Sequence, residues 1–116
     1  KRQLLFDIGK GPPLRFELPS LGGTSETGAV LWPAGLLLAA WLADQPASWL
    51  AGRRCLELGC GAAALPTIAA ARVGAGPPCL ATDGTGAIVA AAAENIRRNG
   101  ADASASLLDW ADLLAA

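Results

Sequence analysis

From Arg53 to Leu108 the sequence alternates short apolar runs with longer Ala-rich ones, and this alternation constrains the fold more than any other feature. Arg53–Leu58 reads as a strand that ends at Gly59-Cys60-Gly61. Ala62–Val73 reads as a helix, with Pro66 tolerated in its first turn because no N–H is needed there. Gly74-Ala75-Gly76-Pro77-Pro78 ends it. Cys79–Thr82 is a second short strand, closed by Asp83-Gly84. Residues 86–99 read as a helix with Ile88, Val89, Ala92, Ala93 and Ile96 on one face. Glu94, Arg97 and Arg98 lie on the other, and Asn99-Gly100 stops it. Ser104–Leu108 is a third strand, closed by Asp109-Trp110. Strand–helix–strand–helix–strand is two successive crossover units, which predicts a parallel sheet with helices on its faces. Val and Ile together number only seven, against 26 Ala, so the strands must rely on Leu, Ala and Cys.

Two further apolar runs precede this unit. Residues 3–8 and 14–18 read as antiparallel strands around the loop Gly9-Lys10-Gly11-Pro12-Pro13. The second alternates cleanly, with Leu14, Phe16 and Leu18 opposite Arg15 and Glu17. Residues 19–28 are rich in Gly, Ser and Thr and read as a loop. Pro33 then opens a helix that runs to about Ala43. Leu36, Leu37, Leu38, Trp41 and Leu42 surround most of its circumference, so we expect burial on more than one side. The uncharged stretch Thr27–Ala43 has 17 residues. It is short for a bilayer span and contains Pro33 and Gly35, so it reads as a loop feeding a buried helix rather than a membrane segment. We therefore divide the chain into an N-terminal extension, 1–28, and a partial domain, 29–116. Lys1 at one end and Leu113-Leu114-Ala115-Ala116 at the other lead us to expect a fragment.

Composition narrows the chemistry. There is no His, Tyr or Met, and nine basic against ten acidic residues leave a net charge of -1. Without His, neither Ser-His-Asp nor Cys-His catalysis can operate, and no His-ligated metal site can form. We expect no metal. The charge balance argues against a nucleic-acid surface. Cys55, Cys60 and Cys79 contain no Cys-x-x-Cys pair, and an odd number suits no disulfide framework. They read as buried free thiols in a reducing cytosol, and a cytoplasmic protein is expected.

Chemistry is concentrated at Glu57-Leu58-Gly59-Cys60-Gly61. A glycine turn between a strand and a helix lets a ligand approach the backbone closely. Asp83, 22 residues beyond Gly61, ends the next strand, where a carboxylate can accept both hydroxyls of a ribose. Pyrophosphate at such a turn needs backbone N–H groups and no nearby anion. Glu57 stands two residues before the first glycine, and Ala64-Leu65-Pro66 stands where a dinucleotide fingerprint would carry its third glycine. Both details favour S-adenosylmethionine, which is cationic and carries no phosphate. Cys60, between the glycines, reads as a small filler.

With these stretches in place the chain resembles the seven-strand, class I protein lysine methyltransferases. The resemblance is to the branch that includes calmodulin-lysine methyltransferase and the lysine methyltransferases of elongation factors and chaperones. Thr27-Gly28-Ala29-Val30-Leu31-Trp32-Pro33-Ala34 is similar to that branch's Gly-x-x-x-Trp-Pro/Asp motif. Leu56–Pro66 is similar to its Glu-Leu-Gly-x-Gly segment. Ala81-Thr82-Asp83-Gly84, with Asn95 and Asn99 downstream, resembles its Thr-Asp-Gly segment and the helix after it. Leu107-Leu108-Asp109-Trp110 resembles its Leu-Asp-Trp segment. The resemblance spans about residues 14–112. It implies a Rossmann-like, three-layer αβα sheet, truncated here after the third parallel strand and preceded by the antiparallel strand pair.

The resemblance also implies roles. Glu57 would face the amino group of the methionine part, and Gly59 and Gly61 would line the turn beneath it. Asp83 would hold the ribose. Trp32 would lie over the cofactor, and Trp110 would pack beside the adenine with Asp109 near its edge. Trp41 and Trp49 fall in no motif and read as packing residues. The implied reaction is transfer of a methyl group from the sulfonium to a neutral lysine amine of a protein, by a monomeric parent enzyme acting on neither nucleic acid nor membrane. The branch's Asp-x-x-Tyr segment, which serves the acceptor, has no counterpart here, so no catalytic residue is assigned. Two alternatives stay open: a non-catalytic S-adenosylmethionine-binding remnant, and a nicotinamide-dependent oxidoreductase.

Overall fold

The structure is a computed structural model and describes residues 2–19 and 29–115. Residues 20–28, which hold most of the expected Gly/Ser/Thr-rich loop and Thr27-Gly28 of the Trp-Pro motif, lie outside the described residues. In chain order the elements are β1 (Arg2–Phe6), β2 (Leu14–Leu18), α1 (Pro33–Ala43), α2 (Ala47–Leu50) and β3 (Cys55–Leu58). They continue as α3 (Leu65–Arg72), β4 (Cys79–Asp83), α4 (Gly86–Arg98), β5 (Ser104–Leu107) and α5 (Trp110–Ala115).

The crossover pattern builds the parallel sheet it predicts. The strand order is β3-β4-β5. The register aligns Cys55 with Cys79, Glu57 with Ala81 and Ala105, and Asp83 with Leu107. Side chains alternate across a sheet, so Cys55, Glu57, Cys79 and Ala81 share one face. Helices α3 and α4 pack on β3, β4 and β5, and the core between them holds Ile68, Ala81, Ile88, Ala92 and Ile96. Small residues on both sides let helix and sheet approach closely. Leu56 and Leu58 alternate with the covered positions and are exposed.

The N-terminal pair forms a separate antiparallel sheet, β1 with β2, in the register Arg2 to Leu18 through Phe6 to Leu14. Leu14, Phe16 and Leu18 are each no more than 1% exposed and join the same core as Ile88 and Ile96. Arg72, at the end of α3, holds the hairpin loop by donating to the carbonyls of Lys10, at 3.1 Å, and Pro12.

Four expectations need correction. Helix α1 is not buried on more than one side: Leu37 is 72% exposed and Trp41 50% exposed, while Ala39 and Ala43 are buried. It packs on α3 through this small-residue face, which brings the backbones together and turns the larger side chains outward. The helix expected from Ala62 starts at Leu65, because Gly61 and Ala64 take positive φ angles of 66° and 48° that no right-handed helix admits. The first strand ends at Phe6 rather than Ile8, since Asp7 Oδ1 accepts a turn-forming bond from the Gly9 amide at 2.7 Å. The strand expected from Arg53 begins at Cys55, after a turn in which the Arg53 amide donates to the Leu50 carbonyl. Helices α2 and α5 were not foreseen. Trp49 of α2 meets Trp41 of α1 edge-on, with ring centroids 5.3 Å apart.

This arrangement makes β2 a full member of the core. Phe16→Ala should lower the free energy of unfolding by ~3–5 kcal/mol. Leu5→Ala, at a position 68% exposed, should cost less than ~1 kcal/mol. Urea denaturation of both variants measures the difference.

Candidate functional site

The site is built on the turn between β3 and α3. Gly59 and Gly61 both lie in the left-handed region, at φ 67° and 66°. A side chain at either would be strained, which explains the Gly-x-Gly spacing physically. Ala64 completes the turn at φ 48° as the N-cap of α3. Three ties fix this backbone from outside. The Cys60 amide donates to the Thr82 carbonyl at 2.8 Å. The Gly61 amide donates to Asp83 Oδ2 at 3.1 Å. Asn95 Nδ2, from α4, donates to the Ala62 carbonyl at 2.8 Å.

Glu57 lies beneath the turn on the covered face of the sheet. Its Oε1 accepts from the Thr67 hydroxyl at 2.6 Å and from the Thr67 amide at 3.2 Å. The amide is an unsatisfied donor of the first turn of α3, so Glu57 supplies the cap that Ala64 cannot. Burial pushes the Glu57 carboxyl above its ordinary range, and the two Thr67 bonds only partly oppose this. The sequence reading of Glu57 as a ligand-facing acid therefore needs refinement, because one of its oxygens is committed to the helix.

Asp83 ends β4. Its Oδ2 takes the Gly61 amide, and its Oδ1 takes the Thr85 amide at 3.3 Å. Each carboxylate oxygen can accept a further bond, so capacity for two hydroxyl donors remains.

Two hollows adjoin at Gly59 and Asp83. The larger, of about 470 Å³, is bordered by Trp32, Leu38, Glu57, Gly59, Gly61, Pro66 and Asp83 among others. The smaller, of about 290 Å³, is bordered by Gly59, Asp83, Gly84, Leu108, Asp109 and Trp110. All seven residues singled out in the sequence, Trp32, Glu57, Gly59, Gly61, Asp83, Asp109 and Trp110, thus border one or both of these adjoining hollows. The indole of Trp110 faces the turn so closely that a methyl group on Gly59 would lie 3.9 Å from its Cζ2 atom. Among the described residues that border the hollows there is no Lys or Arg, and the carboxyl groups of Glu57, Asp83 and Asp109 set the local charge.

Some sequence expectations shift in detail. Asp109 and Trp110 do not close the third strand but open α5, where Asp109 Oδ1 accepts from the Ala111 amide at 2.9 Å. Cys60 is buried, and its thiol is pushed up to about 12 by burial and then by the charges of Glu57 and Asp83. A thiol so raised is little ionised near neutral pH, which supports the reading of Cys60 as a small filler. Cys79 is also buried, whereas Cys55 is half-exposed. Thr67 and the role of Asn95 were missed. A Thr directly after a first-turn Pro, and an Asn on the apolar face of a helix, were the available signals.

The hollows suit a ligand with hydroxyl groups, a positive charge and a flat apolar ring, set on a strand–glycine turn–helix unit of a parallel sheet. This is the class I, Rossmann-like methyltransferase arrangement, built here on three parallel strands. A family model described as lysine methyltransferase matches residues 15–116, and the chain belongs to that family. None of the curated proteins matches it.

The raised Glu57 carboxyl has a measurable consequence. A folded-state value above the ordinary 4.5 means that the folded chain holds a proton which the unfolded chain has released. Stability linked to Glu57 is then full below that value and declines as pH rises through the folded one. Glu57→Gln keeps an acceptor for Thr67 and removes the titration. Denaturation across this pH range should show wild type losing stability relative to Glu57→Gln as pH rises.

Proposed function

We propose that the chain is the cofactor-binding part of an S-adenosylmethionine-dependent protein methyltransferase that modifies a lysine side chain. The observation that carries this reading is the meeting of Glu57, Asp83 and Trp110 around one glycine turn, with no Lys or Arg beside them among the described residues. Two carboxylates repel a pyrophosphate and attract a sulfonium and an ammonium. That asymmetry speaks against a nicotinamide dinucleotide.

S-adenosylmethionine, when bound, supplies an electrophilic methyl group on its sulfonium sulfur. The chain's own residues bind and orient. Asp83 accepts ribose hydroxyls with the lone pairs that Gly61 and Thr85 leave free. Glu57 presents its uncommitted oxygen to the amino group of the methionine part. Trp110 offers an indole face to the purine, a contact of ~1–3 kcal/mol in base-stacking sites, and Asp109 stands at the purine edge. Trp32 borders the adjoining larger hollow beside Glu57, where its ring covers the ligand and excludes water. Gly59 and Gly61 let the ligand lie against the backbone. Fixed donors and acceptors of this kind act mainly through positioning, which is where rate is gained when the cofactor carries the reactive group.

The acceptor in this reading is a protein lysine rather than a nucleic acid, and the net charge of -1, with no basic excess, supports it. Three free thiols fit a reducing, cytoplasmic setting. No helix among the described residues is long and apolar enough to cross a membrane. The parent enzyme is proposed to act as a monomer.

The test is a methyl-transfer assay of the full-length protein with radiolabelled S-adenosylmethionine and a proteome depleted of lysine methylation. Label should enter protein lysines. Label confined to small molecules or nucleic acid would refute the acceptor assignment. Ligand binding without turnover would favour a non-catalytic cofactor-binding protein. Asp83→Asn should weaken S-adenosylhomocysteine binding roughly ten- to a hundredfold, the loss expected for charge-assisted hydrogen bonds.

A further inference from the structure

The buried amide of Asn95 connects three parts of the molecule that are far apart in sequence. Asn95 is fully buried on the face of α4 that otherwise carries Ile88, Ala92 and Ile96. Its Oδ1 accepts from the Glu17 amide at 2.8 Å and from the Arg98 guanidinium at 2.5 Å. Its Nδ2 donates to the Glu17 carbonyl at 3.1 Å and to the Ala62 carbonyl at 2.8 Å. The amide thus uses two acceptor positions and both donors, its full capacity.

One turn further along α4, Asn99 repeats half of this pattern. It accepts from the Arg15 amide and donates to the Arg15 carbonyl, both at 2.8 Å. The spacings match for a simple reason. Residues two apart on a strand advance ~6.8 Å, and residues four apart on a helix advance ~6 Å. The side-chain amides of Asn95 in α4 and of Asn99, which caps its C-terminus, therefore bond the edge of β2 that β1 leaves open, much as a neighbouring strand would. Asn95 differs from Asn99 in one respect: it also holds the Ala62 carbonyl, inside the Gly-x-Gly turn.

We infer that Asn95 is a positioning residue of the cofactor turn, and that through it strand β2 supports the site although β2 does not border it. The inference rests on the cofactor reading above for its ligand but not for its geometry. Ala62 is buried, so without Asn95 its carbonyl would face no partner and no water. The turn between Gly61 and Ala64, both in the left-handed region, would then relax to satisfy it. Asn99 tethers the same hairpin and makes no bond to the turn itself; its Nδ2 also donates to the Asn95 backbone carbonyl at 2.7 Å, so it serves as the control for loss of the hairpin tie alone.

Hydrogen exchange of the turn amides, measured on the full chain without ligand, separates the two roles. Asn95→Ala should speed exchange at the Cys60 and Gly61 amides ~tenfold or more beyond Asn99→Ala, the effect of orphaning a buried carbonyl. Equal acceleration in the two variants would reduce Asn95 to hairpin glue and overturn the inference. Affinity supplies the second readout: S-adenosylhomocysteine should bind Asn95→Ala ~tenfold or more weakly and Asn99→Ala within ~threefold of wild type. If Asn95→Ala does not fold, wild type decides, because linkage is reciprocal. S-adenosylhomocysteine should slow exchange at the Glu17 amide, whose bond goes to Asn95, and an unchanged Glu17 amide beside a protected turn would contradict the coupling. A wild-type chain that fails to bind S-adenosylhomocysteine would refute the cofactor reading, and the ligand-free exchange would still decide the role of Asn95.

Discussion

The backbone between Leu58 and Leu65 cannot hold its own shape. Gly59, Gly61 and Ala64 all sit at positive φ, and few hydrogen bonds lie within the turn itself. Asp83 closes it through the Gly61 amide, Thr82 through the Cys60 amide, and Asn95 through the Ala62 carbonyl. Ala64 is the position where strain is plainest, since a left-handed backbone costs an L-residue with a Cβ ~1–2 kcal/mol. Such a cost persists only where the surroundings over-determine the conformation. The parallel register of β3 and β4 brings Asp83 to the end of β4 beside this turn, so the sheet and the site are one construction.

Glu57 shows how closely stability and function are interwoven. Its carboxylate replaces the missing N-cap of α3 while lying in the hollow that a ligand would enter. Burial disfavours its charge, and a cation in the hollow would restore it. A residue in that position gains from a positively charged ligand and loses from a phosphate, which is the physical core of the preference proposed for S-adenosylmethionine.

Much of this was legible in the sequence because the signals were local. The Leu14-Phe16-Leu18 alternation identified the buried face of β2, and the strand–turn–helix alternation from Arg53 gave the parallel sheet. The seven residues proposed for the site fall beside the same hollows because strand ends and glycine turns mark where side chains converge. What escaped was non-local. Nothing in Leu36-Leu37-Leu38-Trp41 says that α1 packs through Ala39 and Ala43, since that depends on how closely α3 approaches. Helix α5 was hidden because Asp109, read as a strand end, caps a helix instead. Thr67 and Asn95 were unreadable in role because their partners, Glu57, Glu17 and Ala62, are 10, 78 and 33 residues away.

The central claim is that this turn with its two carboxylates selects a cationic adenosyl ligand over a phosphorylated one. Calorimetric titration of the 116-residue chain with S-adenosylmethionine and, separately, with NADH tests it most directly. S-adenosylmethionine should bind saturably at one site, and NADH should bind markedly more weakly or not at all. Tighter binding of NADH, or equal binding of the two, would contradict it.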